Sequence, residues 1–230
     1  IGTRKSMLAL VQTNIVKEKI LEAFPDLEVE IAELSTQGDE QLDRSLTSFG
    51  GKGVFTQELE DALLRGEIDL AVHSAKDMPM EFAEGLGIGA ALTRGPVEDV
   101  VVTLDGTRLK DLKPGSVVGT GSLRRELQIR KVNPLIQVKM IRGNVQTRLR
   151  KLSEGRYDAI ILAAAGLERL EMASGGEYFF EHLDPSVCLP AAGQAILAVE
   201  SRDGDLNLKE ILERINDPEA YVCLSAEQAY

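Results

Sequence analysis

Short apolar runs alternate with amphipathic helix patterns along this chain, and each run ends in a cluster of small, hydroxylated or charged residues. Ile1-Gly2-Thr3-Arg4-Lys5-Ser6 reads as a strand end turning into a helix, on which Leu8, Val11, Ile15, Val16, Ile20 and Phe24 recur at helical spacing until Pro25 stops the run. Glu28 to Leu34 alternates as a strand. Residues 35–53 are polar and glycine-rich and close with Gly50-Gly51-Lys52-Gly53, the pattern of a flexible loop. A helix is expected from Phe55 to Leu64, before Gly66. Ile68 to Val72 is then a buried strand whose end delivers His73-Ser74-Ala75-Lys76-Asp77. The order β-α-β-α-β predicts a mostly parallel sheet with helices on both faces.

After Leu92 the pattern starts again. Val100–Thr103, Ser116–Gly119, Gln137–Ile141 and Ala159–Leu162 read as strands, with helices near 122–131, 144–154 and 164–171. Ile196–Glu200 is a late strand that can return to the first sheet, followed by amphipathic helices over Leu208–Ile215 and Pro218–Tyr230. The expected organisation is a first α/β domain of residues 1–92 with 193–212, a second of residues 93–192, and residues 213–230 opening a third α+β domain that is cut short. The chain opens at Ile1 without Met and stops at Tyr230 inside a helical pattern, so a fragment is expected. Crossing connections between two α/β domains imply a ligand cleft at the carboxyl ends of the strands.

Charge narrows the ligand. Residues 108–169 hold 14 of the 26 Lys+Arg but 5 of the 37 Asp+Glu, a local +9 inside a chain of net charge −11. A basic island in an acidic protein suits a small anion. The overall charge repels long phosphate backbones, and with 4% aromatic residues and no Trp there is no stacking platform for nucleic acid. Cys188 and Cys223 form no CxxC pair, and no apolar run reaches membrane-spanning length. No nucleic-acid or membrane partner is expected, and the thiols fit a reducing, cytoplasmic setting.

The residues able to do chemistry fall at the strand ends. In the first domain they are Thr3, Arg4, Ser6, Lys52, Ser74, Lys76 and Asp77; in the second, Thr120, Ser122, Arg124, Arg125, Arg142, Arg148 and Arg169. Arg130, Lys131, Arg150, Lys151 and Arg156 read as solvated helix faces. Arg124 and Arg125 open a helix after the small-residue turn Gly119-Thr120-Gly121-Ser122, where the helix dipole disfavours cations unless an anion is bound. Asp77 can equally cap a turn before Pro79. His73 and His182 lack Cys/His company, which speaks against a metal site. Several arginines suit a ligand with several carboxylates, gripped bidentately, and one opposing carboxylate can stabilise a developing cation or pass a proton.

These motifs, with Leu8-Ala9-Leu10 and Gln12, Gly50–Phe55, Val72–Pro79, Val118–Arg125, Arg142–Leu149, Tyr157–Ala163 and Leu189–Gln194, resemble the porphobilinogen deaminase (hydroxymethylbilane synthase) family in order and over nearly the whole chain. The resemblance implies a transferase of haem and other tetrapyrrole biosynthesis. It condenses four porphobilinogen molecules head to tail, releasing ammonia, on a covalent dipyrromethane primer. It implies two type II periplasmic-binding-protein-like domains with crossing connections, and a cytoplasmic monomer. Asp77 would stabilise the cationic pyrrole nitrogens with Lys76 beside it. Ser74, Lys76, Asp77, Thr120, Ser122, Arg124, Arg125 and Arg142 would hold the primer, and Arg4, Ser6, Gln12, Lys52, Arg148 and Arg169 the substrate, Lys52 on a lid loop. The primer's attachment Cys is expected beyond residue 230 and is matched by neither Cys188 nor Cys223. Ser48, Gly121, Ala195 and Gln228 stand where the family usually has Lys, Ser, Gly and Arg. The competing readings are a non-catalytic anion-binding module of periplasmic-binding-protein type and a degenerate deaminase.

Overall fold

A computed structural model of the chain describes residues 1–35, 56–173 and 176–229. The chain divides into two compact units, residues 1–95 with 192–230 and residues 96–191. The expected lid loop and its Lys52 lie outside the described residues.

In the first unit, β1 (Gly2–Arg4), β2 (Ala32–Leu34), β3 (Leu70–Ser74), β4 (Leu86–Ala91) and β10 (Leu197–Arg202) form one sheet in the order β2-β1-β3-β10-β4. β1 pairs in parallel with β2 and β3, whereas β10 runs antiparallel to both β3 and β4. The sheet is therefore mixed rather than mostly parallel. The late strand inserts against the direction of β3, and β4, which no alternation signalled, closes the edge. Its sequence Leu86-Gly87-Ile88-Gly89-Ala90-Ala91 is too glycine-rich to read as a strand.

Helix α1 (Met7–Ala23) begins where Ser6 accepts a hydrogen bond from the Ala9 N–H at 3.2 Å and ends at the Phe24 cap before Pro25. It buries Val16 and Ile20 on one sheet face with Leu70, Val72, Leu197 and Val199, where α6 (Leu206–Ile215) adds Leu212 and Ile215. The opposite face carries α2 (Gln57–Leu64), through Leu59, Ala62 and Leu63 against Ala71. It also carries α7 (Pro218–Ala229), through Ala220 and Leu224 against Ala75, Ala91 and Ala198. Two covered faces explain why β3 reads as an apolar run instead of an alternating one. An ion pair ties α7 down: the Arg94 guanidinium grips both oxygens of Glu227, donates from Nε to the Gln194 carbonyl at 2.9 Å, and leaves Glu227 to accept the Gly193 N–H at 2.7 Å.

The second unit repeats the plan with β5 (Asp99–Thr103), β6 (Val117–Gly119), β7 (Gln137–Lys139), β8 (Ala159–Ala163) and β9 (Phe179–Leu183) in the order β7-β6-β8-β5-β9. β6 is parallel to β7 and β8, and β5 is antiparallel to β8 and β9. Here β9 is the strand the alternation did not signal. Helix α3 (Leu123–Val132) covers one face through Ile129, against Val101, Val118 and Ile161. Helices α4 (Val145–Ser153) and α5 (Ala164–Arg169) cover the other through Leu149, Leu152 and Leu167. Among the described residues no helix is long and apolar enough to cross a membrane.

Candidate functional site

Each unit gathers its polar residues at the carboxyl ends of its parallel strands, where backbone groups leave the ladder and side chains escape the core. In the first unit a small cavity of about 70 Å³ opens there, lined by Arg4, Ser6, Gln12, Thr56, His73, Ser74 and Asp77 among others. Five of the residues singled out in the sequence thus come together around one opening. Gln12, buried on α1, reaches the end of β3 and donates from Nε2 to Ser74 Oγ at 2.9 Å. The Ser6 hydroxyl already accepts the helix-capping bond, and its own proton remains available to a ligand. A single 3-10 turn, Ala75–Asp77, follows β3 and delivers the Asp77 carboxylate exposed at the opening, with half-buried Lys76 beside it.

That turn is fixed from behind. The Ala75 N–H donates to the Ile196 carbonyl at 3.0 Å. Gly193 (φ 67°) packs so closely that a Cβ there would lie 3.0 Å from the Ala75 carbonyl carbon. Only glycine meets both conditions.

In the second unit the β6–α3 turn presents Thr120, Ser122, Arg124 and Arg125. Ser122 caps α3 by accepting the Arg125 N–H at 3.4 Å, and Thr120 Oγ1 accepts the Ser122 N–H at 3.1 Å. Both arginines converge on Asp99, a residue that sequence reasoning missed. Arg125 Nη2 and Arg124 Nη2 each lie 2.7 Å from one of its two oxygens, and Asp99 is fully buried. Burial by itself would push the Asp99 carboxyl up. The Arg125 charge and hydrogen bond, joined by those of Arg124, outweigh it and hold the group below the usual carboxylate range. Arg125 also donates to the Ile161 carbonyl at 3.2 Å, and Arg124 to the Leu189 carbonyl. Arg125 is 7% exposed, and its Nε has no acceptor among the described residues.

The neighbouring β7–α4 turn carries Arg142, and Arg148 follows near the start of α4. Arg148 donates from Nε to the Gly143 carbonyl at 2.8 Å, and Lys151 holds the Arg142 carbonyl at 2.8 Å. Asn144 caps α4 through the Thr147 N–H at 2.8 Å. The two turns lie close together: a Cβ at Gly121 would lie 3.3 Å from the Ile141 carbonyl oxygen. Arg169 is the last residue of α5, away from both turns in sequence, and burial lowers its guanidinium from the ordinary value against the opposing charge of Glu168. Cys188 lies 3.5 Å from Asp99 Oδ2. Burial and then the Asp99 charge raise its thiol. It is therefore a poor nucleophile. Among the described residues no group of His, Cys, Asp and Glu could hold a metal ion.

The architecture is that of periplasmic-binding-protein-like type II folds. Solved structures of that kind include the periplasmic aliphatic sulphonate binding protein SsuA from Escherichia coli, with TM-score 0.52 and 15% identity over 98% of this chain and 67% of that one. Another is CbnR, a LysR family transcriptional regulator, with TM-score 0.55 and 12% identity over 99% of this chain and 69% of that one. At such identities the likeness concerns the fold alone.

Sequence comparison goes further. Residues 1–210 match the family model described as porphobilinogen deaminase, dipyromethane cofactor binding domain. The chain is 47% identical over 230 residues to the porphobilinogen deaminase of Halalkalibacterium halodurans, covering all of this chain and 73% of that protein. It is 48% identical over 229 residues to that of Syntrophobacter fumaroxidans, again covering 100% and 73%. The chain belongs to the porphobilinogen deaminase family.

Proposed function

We infer that the protein is a hydroxymethylbilane synthase: a transferase that joins four porphobilinogen molecules head to tail, with loss of ammonia at each step. One observation carries the reading beyond family membership. In a chain matching a dipyrromethane-binding domain, two arginines at the start of α3 are seated on one fully buried carboxylate. Two guanidiniums on one carboxylate leave a net positive charge with spare N–H donors, and each pyrrole of this chemistry carries an acetate and a propionate. The unmatched Arg125 Nε supports the fit, because a buried donor without an acceptor is costly unless a ligand supplies one.

In the second unit, Thr120, Ser122, Arg124, Arg125 and Arg142 would hold primer carboxylates, and Arg148 and Arg169 those of substrate or product. In the first unit, Ser74, Lys76 and Asp77 would hold the primer, and Arg4, Ser6, Gln12 and Lys52 the incoming substrate. When bound, the dipyrromethane supplies the free pyrrole carbon to which the first substrate unit is joined. Asp77 offers its carboxylate to the positive charge that develops on a pyrrole nitrogen as ammonia leaves. A fixed anion stabilises that charge most when it is greatest, which is the condition for lowering a barrier instead of merely binding substrate. We further propose a covalent primer attachment through a Cys beyond residue 230, and a cytoplasmic monomer.

The test is a mass measurement together with an assay. The intact protein should carry an added mass of two pyrrole units, consume porphobilinogen and release ammonia. A clean apo mass with no ammonia release would instead support a non-catalytic anion-binding module.

A further inference from the structure

Glu227 lies in the last turn of α7, where the helix dipole disfavours a carboxylate and no basic residue of that turn offsets it. Its partner comes from far away in sequence. Arg94 Nη1 donates to Glu227 Oε1, and Arg94 Nη2 donates to Oε2 at 3.1 Å. The same Oε2 accepts the Gly193 N–H at 2.7 Å. Burial by itself would raise the Glu227 carboxyl. The Arg94 hydrogen bond, the Gly193 N–H and the Arg94 charge outweigh it and hold the group below the usual carboxylate range. The carboxylate is thus ionised and fully engaged at a helix end that would otherwise repel it.

What the pair holds is one short segment. Glu227 takes the Gly193 N–H, Arg94 Nε donates to the Gln194 carbonyl at 2.9 Å, and the Gly95 N–H donates to the Ala195 carbonyl at 3.3 Å. Gly193 and Ala195 have φ of 67° and 74°, and the Ile196 N–H closes onto the Gly193 carbonyl at 3.2 Å. A left-handed residue that carries a Cβ persists only where its surroundings over-determine it. The other side of this segment is the support of Asp77. The Ile196 carbonyl accepts the Ala75 N–H at 3.0 Å. A Cβ on Gly193 would lie 3.0 Å from the Ala75 carbonyl carbon and 3.1 Å from Leu224 Cδ1. Leu224 and Glu227 are three residues apart on one face of α7, so the helix packs on Gly193 and pins its N–H together. Asp77 stands two residues beyond Ala75, at the end of the same 3-10 turn.

We propose that Arg94 and Glu227 are positioning residues for Asp77: they clamp residues 193–196 against the turn after β3 and so fix where the Asp77 carboxylate stands. The proposal rests on the synthase reading. Neither residue lines the cavity that bears Arg4, Ser74 and Asp77, so both act through the backbone between Gly193 and Ile196. A displacement of the order of ~1 Å at a reacting group is enough to lower a rate by about a hundredfold, which gives a clamp of this kind its leverage.

A double-mutant cycle with Asp77 tests it on the intact enzyme. Glu227→Ala should lose about tenfold or more in kcat per folded molecule, with KM changed by less than about threefold. Glu227→Gln, whose amide oxygen can still accept the Gly193 N–H, should recover most of that loss. In an Asp77→Ala background, Glu227→Ala should change the residual kcat by less than about twofold, because the group it positions is gone. Equal losses in the two backgrounds, or wild-type kcat in folded Glu227→Ala protein, would overturn the proposal. Should Glu227→Ala fail to fold, Arg94→Lys takes its place in the same cycle, since it keeps the charge but loses the fork and the Gln194 contact. If the wild-type enzyme does not turn over, the synthase reading fails by itself. The clamp is then read from amide hydrogen exchange: the Ala75 N–H should exchange about tenfold or more faster in Glu227→Ala than in wild type, and unchanged protection would sink it.

Discussion

Arg125 reaches from the first turn of α3 to Asp99 at the start of β5, Nη2 to Oδ1 at 2.7 Å, with both residues buried. The contact inverts the usual reading of an arginine at a helix start. The cation is held there by a buried acid whether or not a ligand is bound, so its side chain is fixed before any carboxylate arrives. Pre-organisation of this kind lowers the ordering cost of binding.

Asp99→Ala should therefore destabilise the second unit by about 3–5 kcal/mol, because it leaves two guanidiniums without their shared anion. Urea denaturation would read the loss. Asp99→Asn adds a test of sign. The Asp99 carboxyl is held below its ordinary range when folded, so its contribution is present above the unfolded value and fades as pH falls through the depressed folded value. Stability of the Asn variant should fall less steeply than wild type on the acid side of the usual carboxylate range. Parallel acid limbs would contradict the assignment.

Arg125→Leu separates structure from binding. It should cost stability comparable to Asp99→Ala and also lower primer occupancy, read as the fraction of protein with the added dipyrrole mass. The double variant Asp99→Asn, Arg125→Leu removes the buried carboxylate together with the more buried of its two guanidiniums, and leaves Arg124, which is 26% exposed and also donates to the Leu189 carbonyl. It should recover most of the stability while occupancy stays low. Full occupancy in that variant would return Arg125 to a purely structural role.

Much of this was legible in the sequence, and the failures share a cause. Strand ends and helix starts carry local signals: the Ser6, Ser122 and Asn144 caps, Pro25 after α1, and small residues at the β6–α3 turn. Strand direction does not. β5 and β10 each enter a sheet from a distant stretch of chain, and nothing in Val100–Val102 or Ala198–Val199 records that they run antiparallel. Asp99 did leave a trace, as the ionisable first residue of an otherwise apolar strand. Its partner Arg125 lies 26 positions away, so the pairing becomes visible only once the sheet is assembled.

Asp77→Ala should reduce kcat by about two to four orders of magnitude while leaving melting temperature near wild type. The side chain is exposed on a turn whose backbone is held by Ile196 and Gly193, so its removal strands no buried group. Losses of that size from a single side chain are expected when the group acts on charge present only in the transition state. Asp77→Glu, which keeps the charge and moves it by one methylene, should retain more activity than Asp77→Asn. Equal activity in the three variants would place the chemistry elsewhere.

Ala195 is the one position where the resemblance expects glycine and the backbone asks for it. Its φ is 74°, in the left-handed region, and it lies between Gly193, which packs on Ala75, and Ile196, whose carbonyl holds the Ala75 N–H. The left-handed conformation costs a residue with a Cβ about 1 kcal/mol or more, whereas glycine is free of that strain at the expense of a more flexible unfolded chain. Ala195 is 6% exposed, so its methyl also contributes packing that glycine would give up. Relief of strain is the larger effect if the methyl fills no essential gap. The Ala195→Gly variant should then gain about 0.5–1 kcal/mol in urea denaturation, with kcat unchanged because Asp77 keeps its support. A loss of stability would mean that the buried methyl outweighs the strained backbone.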